Sequence, residues 1–198
     1  NAPSSREPLD VYFLLDHSGS MAGIKWTKAC MALDALLRTL DGHDRVQVTH
    51  FADIFGDLVE QPLPLADFCR RWPEIERIDA RGGTELLPAL QHVLTQVGKF
   101  SAERKPVVIL ITDGQVGNEH AIVESLRRHP RLVLHAFGID SVVNDGLLID
   151  LARGQRGRCV LLSLDEDLPA AMERLGTALN HPVVTELQTP EGWTTADG

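Results

Sequence analysis

Three short segments of the sequence carry two carboxylates and three hydroxyls that could bind one cation together. These residues are Asp16, Ser18, Ser20, Thr84 and Asp113. Oxygen is the only donor type that the three segments have in common. Mg²⁺ and Mn²⁺ prefer octahedral sets of oxygen ligands and keep water or an exchangeable ligand in part of the set. We therefore expect these five residues to bind Mg²⁺ or Mn²⁺, with Ca²⁺ as a further candidate.

Apolar runs that end at most one residue before the two aspartates predict the strands that position them. Residues 11–15 and 107–111 are continuous stretches of strand-forming side chains, typical of strands buried on both faces of a parallel sheet. Residues 45–51 alternate and predict another strand, and residues 53–62, with Gly56 as the turn, predict a hairpin that adds one antiparallel edge strand.

The rest of the chain alternates helices with strands. Apolar residues at helical spacing predict helices over 26–40 and 86–97, and the same alternation continues as helix, strand, helix, strand and helix over 119–128, 132–137, 145–153, 159–162 and 168–179. This order predicts an α/β fold: a Rossmann-like open, mostly parallel sheet with one antiparallel edge strand and helices on both faces. Ligands of such sheets bind beyond the carboxyl ends of the strands, so we expect Asp16 and Asp113 on the same rim.

Composition excludes several classes of protein. The 198 residues are 43% hydrophobic and 24% charged, which suits one globular domain and argues against intrinsic disorder. The net charge of −9 opposes binding to nucleic acid or to an anionic membrane surface. No apolar run approaches the ~20 residues that span a bilayer, and the three cysteines form no CxxC pair.

The three segments, taken together, resemble the loops of the metal-ion-dependent adhesion site of von Willebrand factor type A domains. They read Asp-His-Ser-Gly-Ser-Met over 16–21, Gly-Gly-Thr over 82–84 and Ile-Thr-Asp-Gly over 111–114, and the resemblance spans about residues 9–181. The wider motifs, among them Gly-Gly-Thr-Glu and Thr-Asp-Gly-x-Val-x-Asn, are similar to the group of inter-alpha-trypsin inhibitor heavy chains, in which a VIT domain usually precedes this one. By this resemblance we expect one domain over 1–181, and in 182–198 the start of a β-rich segment or a truncated tail.

The resemblance also implies roles for the site residues. Ser18 and Ser20 would ligate the metal directly, and Thr84 would do so when a partner is engaged and through water otherwise. Asp16 and Asp113 would bond metal-bound waters or ligate the ion in some states. The implied function is adhesion-type, metal-dependent binding of a protein that presents an Asp or Glu carboxylate, by a monomeric domain without catalysis. It also favours an extracytoplasmic location.

Other interpretations start from the same residues. Each segment by itself could be an ordinary turn or helix cap. Asp16 at the end of an apolar strand would also suit the nucleophile of a haloacid-dehalogenase-like phosphohydrolase, although Ser18 stands where that chemistry needs a second carboxylate. A third interpretation is a metal-independent scaffold of an intracellular assembly.

Two residues near the rim need separate expectations. Asp140 stands where the family commonly has glycine, and it either adds negative charge near the site or makes a turn, the interpretation that we favour here. We expect the side chain of His17, within the first loop, to point away from the metal.

Overall fold

In the computed structural model, residues 6–114, 116–140 and 145–163 are described, and they form a single sheet with helices around it. The strands are β1 Leu9–Asp16, β2 Arg45–Phe51, β3 Phe55–Asp57, β4 Leu63–Pro64, β5 Lys105–Thr112, β6 Val133–Ile139 and β7 Cys159–Leu162. The helices are α1 Ile24–Leu37, α2 Leu65–Cys69, α3 Trp72–Ile75, α4 Leu86–Phe100, α5 Glu119–Arg127 and α6 Asp145–Gly154. The predicted helix over 168–179 and the segment 182–198 lie outside the described residues.

The sheet has the order β3-β2-β1-β5-β6-β7, with β4 also paired to β2. All neighbours from β2 to β7 run parallel, whereas β3 and the two-residue β4 run antiparallel to β2. The predicted α/β class with an antiparallel edge is therefore confirmed. The placement of the turn at Gly56 was wrong: Gly56 lies within β3 opposite His50. A side chain there would come within 3.1 Å of the His50 ring, so the glycine serves close packing.

Alternate residues of β1 enter two hydrophobic cores, one on each face of the sheet. Phe13 packs in the core that includes Leu33 of α1, and Leu14 packs in the core that includes Leu90 and Val93 of α4. Each fully buried side chain of this size contributes roughly 1.5–3 kcal/mol through removal of apolar surface from water. The two cores fix the strands, and so fix the rim at their carboxyl ends.

A buried ion-pair network lies at the opposite end of β1. The Asp10 carboxylate accepts hydrogen bonds from Arg45 Nη2 at 2.6 Å, from Arg104 Nε at 2.7 Å and from Ser101 Oγ at 2.6 Å. Burial by itself would raise the pKa of Asp10, but the hydrogen bonds from Arg45 and Ser101 and the charges of both arginines lower it. This end of the strand therefore carries a carboxylate that the chain itself neutralises.

Candidate metal centre

The two aspartates of the predicted site leave the sheet side by side. β1 and β5 are parallel neighbours, and Leu15 of β1 is in register with Ile111 of β5. Asp16 closes β1 and Asp113 follows β5 directly, and both side chains are buried. The expectation that the two carboxylates share one rim of the sheet is therefore confirmed.

Asp16 joins the first and third loops through hydrogen bonds. Its Oδ1 accepts the Ser18 N–H at 2.8 Å, and its Oδ2 accepts the Thr112 hydroxyl at 2.6 Å. Burial is the main cause of a raised pKa at Asp16, and the charge of Asp113 adds to it, while the hydrogen bonds from Thr112 and Ser18 oppose it. A buried carboxylate of this kind gains from a nearby cation, which favours its ionised form.

The two serines of the first loop present their hydroxyls together. Ser18 Oγ and Ser20 Oγ are 3.1 Å apart, with Ser18 buried and Ser20 half-buried. A 3₁₀ turn over Gly19–Met21 follows Ser18, and the buried Met21 side chain anchors it in the core. The alternate spacing of residues 16, 18 and 20 thus places their polar groups on one side of the turn.

Backbone hydrogen bonds hold the Gly-Gly-Thr loop against the first loop. The Gly19 N–H donates to the Gly82 carbonyl oxygen at 2.9 Å, and the Arg81 N–H donates to the His17 carbonyl oxygen at 2.8 Å. Gly82 has a φ of 85°, a conformation that favours glycine. Thr84 follows Gly82 by two residues and is half-buried.

Asp53 supports this second loop, a role that the sequence did not reveal. Its Oδ1 accepts the Gly83 N–H at 2.7 Å. A Cβ at Gly82 would lie 2.3 Å from Asp53 Oδ2, and a Cβ at Gly83 would lie 2.6 Å from Asp53 Oδ1. A side chain at either glycine would therefore force the exposed Asp53 carboxylate to move, and at Gly82 the positive φ adds a backbone reason for glycine. The sequence signal that could have pointed to this role of Asp53 is an acidic residue two positions after the end of β2.

Lys25 is a second residue of this rim that the sequence did not reveal. Its Nζ lies 3.1 Å from Asp113 Oδ2 and 2.8 Å from Asp140 Oδ2. Burial acts to lower the pKa of Lys25, but the two ion pairs outweigh it and raise that pKa. Asp140 therefore does add negative charge beside the rim, and the interpretation of it as a turn residue alone was wrong.

His17 turns toward the β2 side of its loop. Its Nδ1 is 3.1 Å from the Asp79 carbonyl oxygen, and its Nε2 is 3.1 Å from His50 Nδ1. The ring also meets Trp26 edge-on, with 6.5 Å between the ring centroids. These contacts engage the imidazole with groups outside the five predicted site residues, as expected.

The donor set suits a hard divalent cation. All five predicted residues offer oxygen, the ligand atom that Mg²⁺, Mn²⁺ and Ca²⁺ take most readily. Over residues 6–114, 116–140 and 145–163, no cluster of three or more His, Cys, Asp or Glu side chains could hold a metal ion. The candidate site differs from such clusters, because three of its five residues offer hydroxyls rather than carboxylates, imidazoles or thiols.

Comparison with known proteins gives a consistent result along most of the chain. The family model of the von Willebrand factor type A domain matches residues 10–174. A von Willebrand factor A domain-containing protein of Dictyostelium discoideum is 26% identical over 184 residues, which cover 91% of this chain and 20% of that protein. The chain thus spans about a fifth of the length of this relative.

Solved structures share the fold. The manganese-loaded TRAP protein of Plasmodium vivax superposes with a TM-score of 0.68 and 22% identity, covering 87% of this chain and 74% of that one. Proximal thread matrix protein 1 of the mussel byssus, with a zinc-occupied MIDAS motif, superposes with a TM-score of 0.67 and 22% identity, covering 88% of this chain and 46% of that one.

Proposed function

This chain belongs to the von Willebrand factor type A domain family, and from that membership we propose that it is a metal-dependent protein-binding domain. The metal is Mg²⁺ or Mn²⁺, with Ca²⁺ as a further candidate, and the residues that hold it are Asp16, Ser18, Ser20, Thr84 and Asp113. The observation that carries the proposal is the meeting of two buried carboxylates and a pair of hydroxyls 3.1 Å apart at one rim of the sheet.

The donor set explains why such a site would bind a partner. When bound, a divalent ion supplies positive charge that neutral hydroxyls leave largely unquenched, and so it attracts a carboxylate from outside. An Asp or Glu side chain of a partner protein is the natural ligand for the remaining position. Solved relatives that carry manganese or zinc support this assignment of a divalent ion.

The charge of the whole chain restricts how that partner docks. With a net charge of −9, the surface disfavours broad contact with another acidic protein and opposes nucleic acid. We therefore propose that recognition is local to the metal, and that the domain by itself is monomeric. In the part of the chain that the structure describes, no helix is both long and apolar enough to cross a membrane.

The loop motifs support a finer placement within the family. Their resemblance to the inter-alpha-trypsin inhibitor heavy chain group favours a domain over 1–181. That group also favours a location outside the cytoplasm.

The phosphohydrolase alternative fits the geometry poorly. Asp16 would have to attack phosphorus, but its side chain is buried and both of its oxygens already accept hydrogen bonds. Ser18 supplies a hydroxyl where that mechanism uses a carboxylate. The geometry therefore favours binding over hydrolysis.

Thermal unfolding with and without metal tests the site. A ligand at about 100 times its Kd stabilises the folded state by about 2.7 kcal/mol, so the midpoint of wild type should rise with Mn²⁺ or Mg²⁺. Ser18→Ala should abolish most of that rise, because it removes a first-loop oxygen. Ser125→Ala is the matched control, since the Ser125 hydroxyl donates to the Ala121 carbonyl oxygen within α5. A full metal response in Ser18→Ala would contradict the site.

Binding and activity assays on the same proteins distinguish the three candidate functions. Metal-dependent binding to a carboxylate-bearing protein ligand, reversed by EDTA and absent in Ser18→Ala, would support adhesion. Phosphate release that disappears in Asp16→Asn would support the enzyme instead. Partner binding that is insensitive to EDTA would support the metal-independent scaffold.

A further inference from the structure

The ammonium group of Lys25 lies between two carboxylates at the rim. Lys25 is the second residue of α1, which begins directly after Gly23, a residue with a φ of 74°. That turn brings the first residues of the helix back over the rim, where Lys25 Nζ reaches both Asp113 and Asp140. The Lys25 side chain as a whole is 17% exposed.

Asp140 is held in an unusual backbone conformation. It follows the last residue of β6, and its φ is 125°, which residues other than glycine rarely adopt and which costs free energy. Its N–H donates to the Leu162 carbonyl oxygen at 3.0 Å, which fixes the backbone at the edge of β7. From this position the carboxylate meets the lysine at 2.8 Å, closer than Asp113 does at 3.1 Å.

We propose that Lys25 is a resident cation of this site, which neutralises Asp113 until a divalent ion binds and is then retained by Asp140. This inference rests on the proposed metal site and adds two residues, Lys25 and Asp140, that set its affinity for the divalent ion. Because like charges repel, a divalent ion that engages Asp113 must displace or tolerate the ammonium. Asp140 already contacts Nζ, so it can keep the lysine charge paired while Asp113 turns to the metal.

Two single variants give opposite predicted changes in Mn²⁺ affinity, measured by calorimetric titration of the whole chain. Lys25→Met should tighten binding by about tenfold or more, the effect that loss of a unit charge near a divalent ion has even at a water-like dielectric constant. Asp140→Asn should weaken binding by about three- to tenfold, because Lys25 then pairs with Asp113 alone. Lys105→Met, the same change at the start of β5 and so at the end of the strands opposite the rim, is the control and should change affinity less than twofold.

The double variant, with Asp140→Asn and Lys25→Met, tests whether Asp140 acts by holding Lys25 or through its own negative charge. If Asp140 acts mainly by holding Lys25, then Asp140→Asn should weaken binding clearly less in the Lys25→Met background than beside the lysine. If Asp140 acts only through its own negative charge, the same weakening should appear in both backgrounds. The second result would overturn the role given to Asp140.

Metal-free protein provides a readout that does not depend on the ion. In EDTA, Lys25→Met should lower the unfolding midpoint, since Asp113 loses its ammonium partner while buried. With saturating Mn²⁺ the same variant should show a larger metal-induced rise than wild type. A resident cation predicts this larger metal-induced rise, whereas a lysine that only supports the fold would lower the midpoints with and without Mn²⁺ equally.

The outcomes for the two proposals are distinct. If neither wild type nor Lys25→Met binds Mn²⁺, the metal site and the role of Lys25 are both wrong. If wild type binds Mn²⁺ and Lys25→Met binds it no more tightly, the metal site stands and the resident-cation role is wrong.

Discussion

His135, in the middle of β6, should make the fold sensitive to acid. Its ring is buried, and its Nδ1 accepts the Arg158 N–H at 3.2 Å. Burial lowers the pKa of His135 from 6.5 to about 4, and the nearby positive charges of Lys105 and Arg158 act in the same direction. The folded protein therefore keeps this imidazole neutral at pH values where the unfolded chain protonates it.

The direction and size of the effect follow from this difference in pKa. The unfolded state binds more protons between pH 6.5 and pH 4, so the stability that neutral His135 contributes is present above pH 6.5 and is lost as the pH falls. Integration over that interval gives about 3 kcal/mol in all, of which about 2.5 kcal/mol is lost by pH 4.5. This is a large share of the 5–15 kcal/mol that typically stabilises a domain.

Urea denaturation at pH 7.5 and pH 4.5, with EDTA present, would measure this loss. In His135→Asn the amide oxygen can still accept the Arg158 N–H but does not titrate, so the variant should lose about 2.5 kcal/mol less than wild type between the two pH values. His120→Asn replaces an exposed histidine and should follow wild type. Parallel losses in wild type and His135→Asn would refute the reasoning, whatever the stability of the variant at pH 7.5.

Two further predictions concern packing and thiol reactivity. In urea denaturation, Gly157→Ala should lower the free energy of unfolding by about 3 kcal/mol or more, because the added Cβ would clash with the Leu134 carbonyl oxygen. Gly98→Ala, which has open space around the added Cβ, should not lower that free energy. An equal effect of the two substitutions would contradict the packing argument. At pH 8 an alkylating reagent should label the exposed Cys69 well before Cys30, since burial raises the pKa of Cys30 to about 11 and leaves little thiolate. Mass spectrometry of the digested protein would show the order of labelling. Faster labelling of Cys30 would contradict the prediction.

The sequence was sufficient to predict the sheet and the approach of the two aspartates. Apolar runs that are buried on both faces have few other structural solutions, and β1 and β5 have these runs at their centres. Parallel neighbours end at the same rim, so Asp16 and Asp113 had to lie close together. The pairing of the Ser18 and Ser20 hydroxyls also followed, because the spacing of residues in a short turn is a local property.

Contacts between distant segments could not be predicted in this way. Lys25 has the spacing of a solvent-facing helix residue, and only the path of the chain through Gly23 brings it to the rim. Asp53 and Gly83 are 30 residues apart in sequence and meet through a single hydrogen bond. Gly56 looked like a turn residue because glycine favours turns, yet its role depends on the His50 ring across the strand.

β1 carries a buried aspartate near each of its ends, and the two are neutralised differently. Asp10 is paired with two arginines, whereas Asp16 accepts hydrogen bonds from the uncharged Ser18 N–H and Thr112 hydroxyl. In metal-free protein, the backbone amides of β1 should therefore exchange with deuterium more slowly at the arginine end than at the rim. A divalent ion would therefore act by restricting local opening at the rim of a sheet that the two cores already hold together.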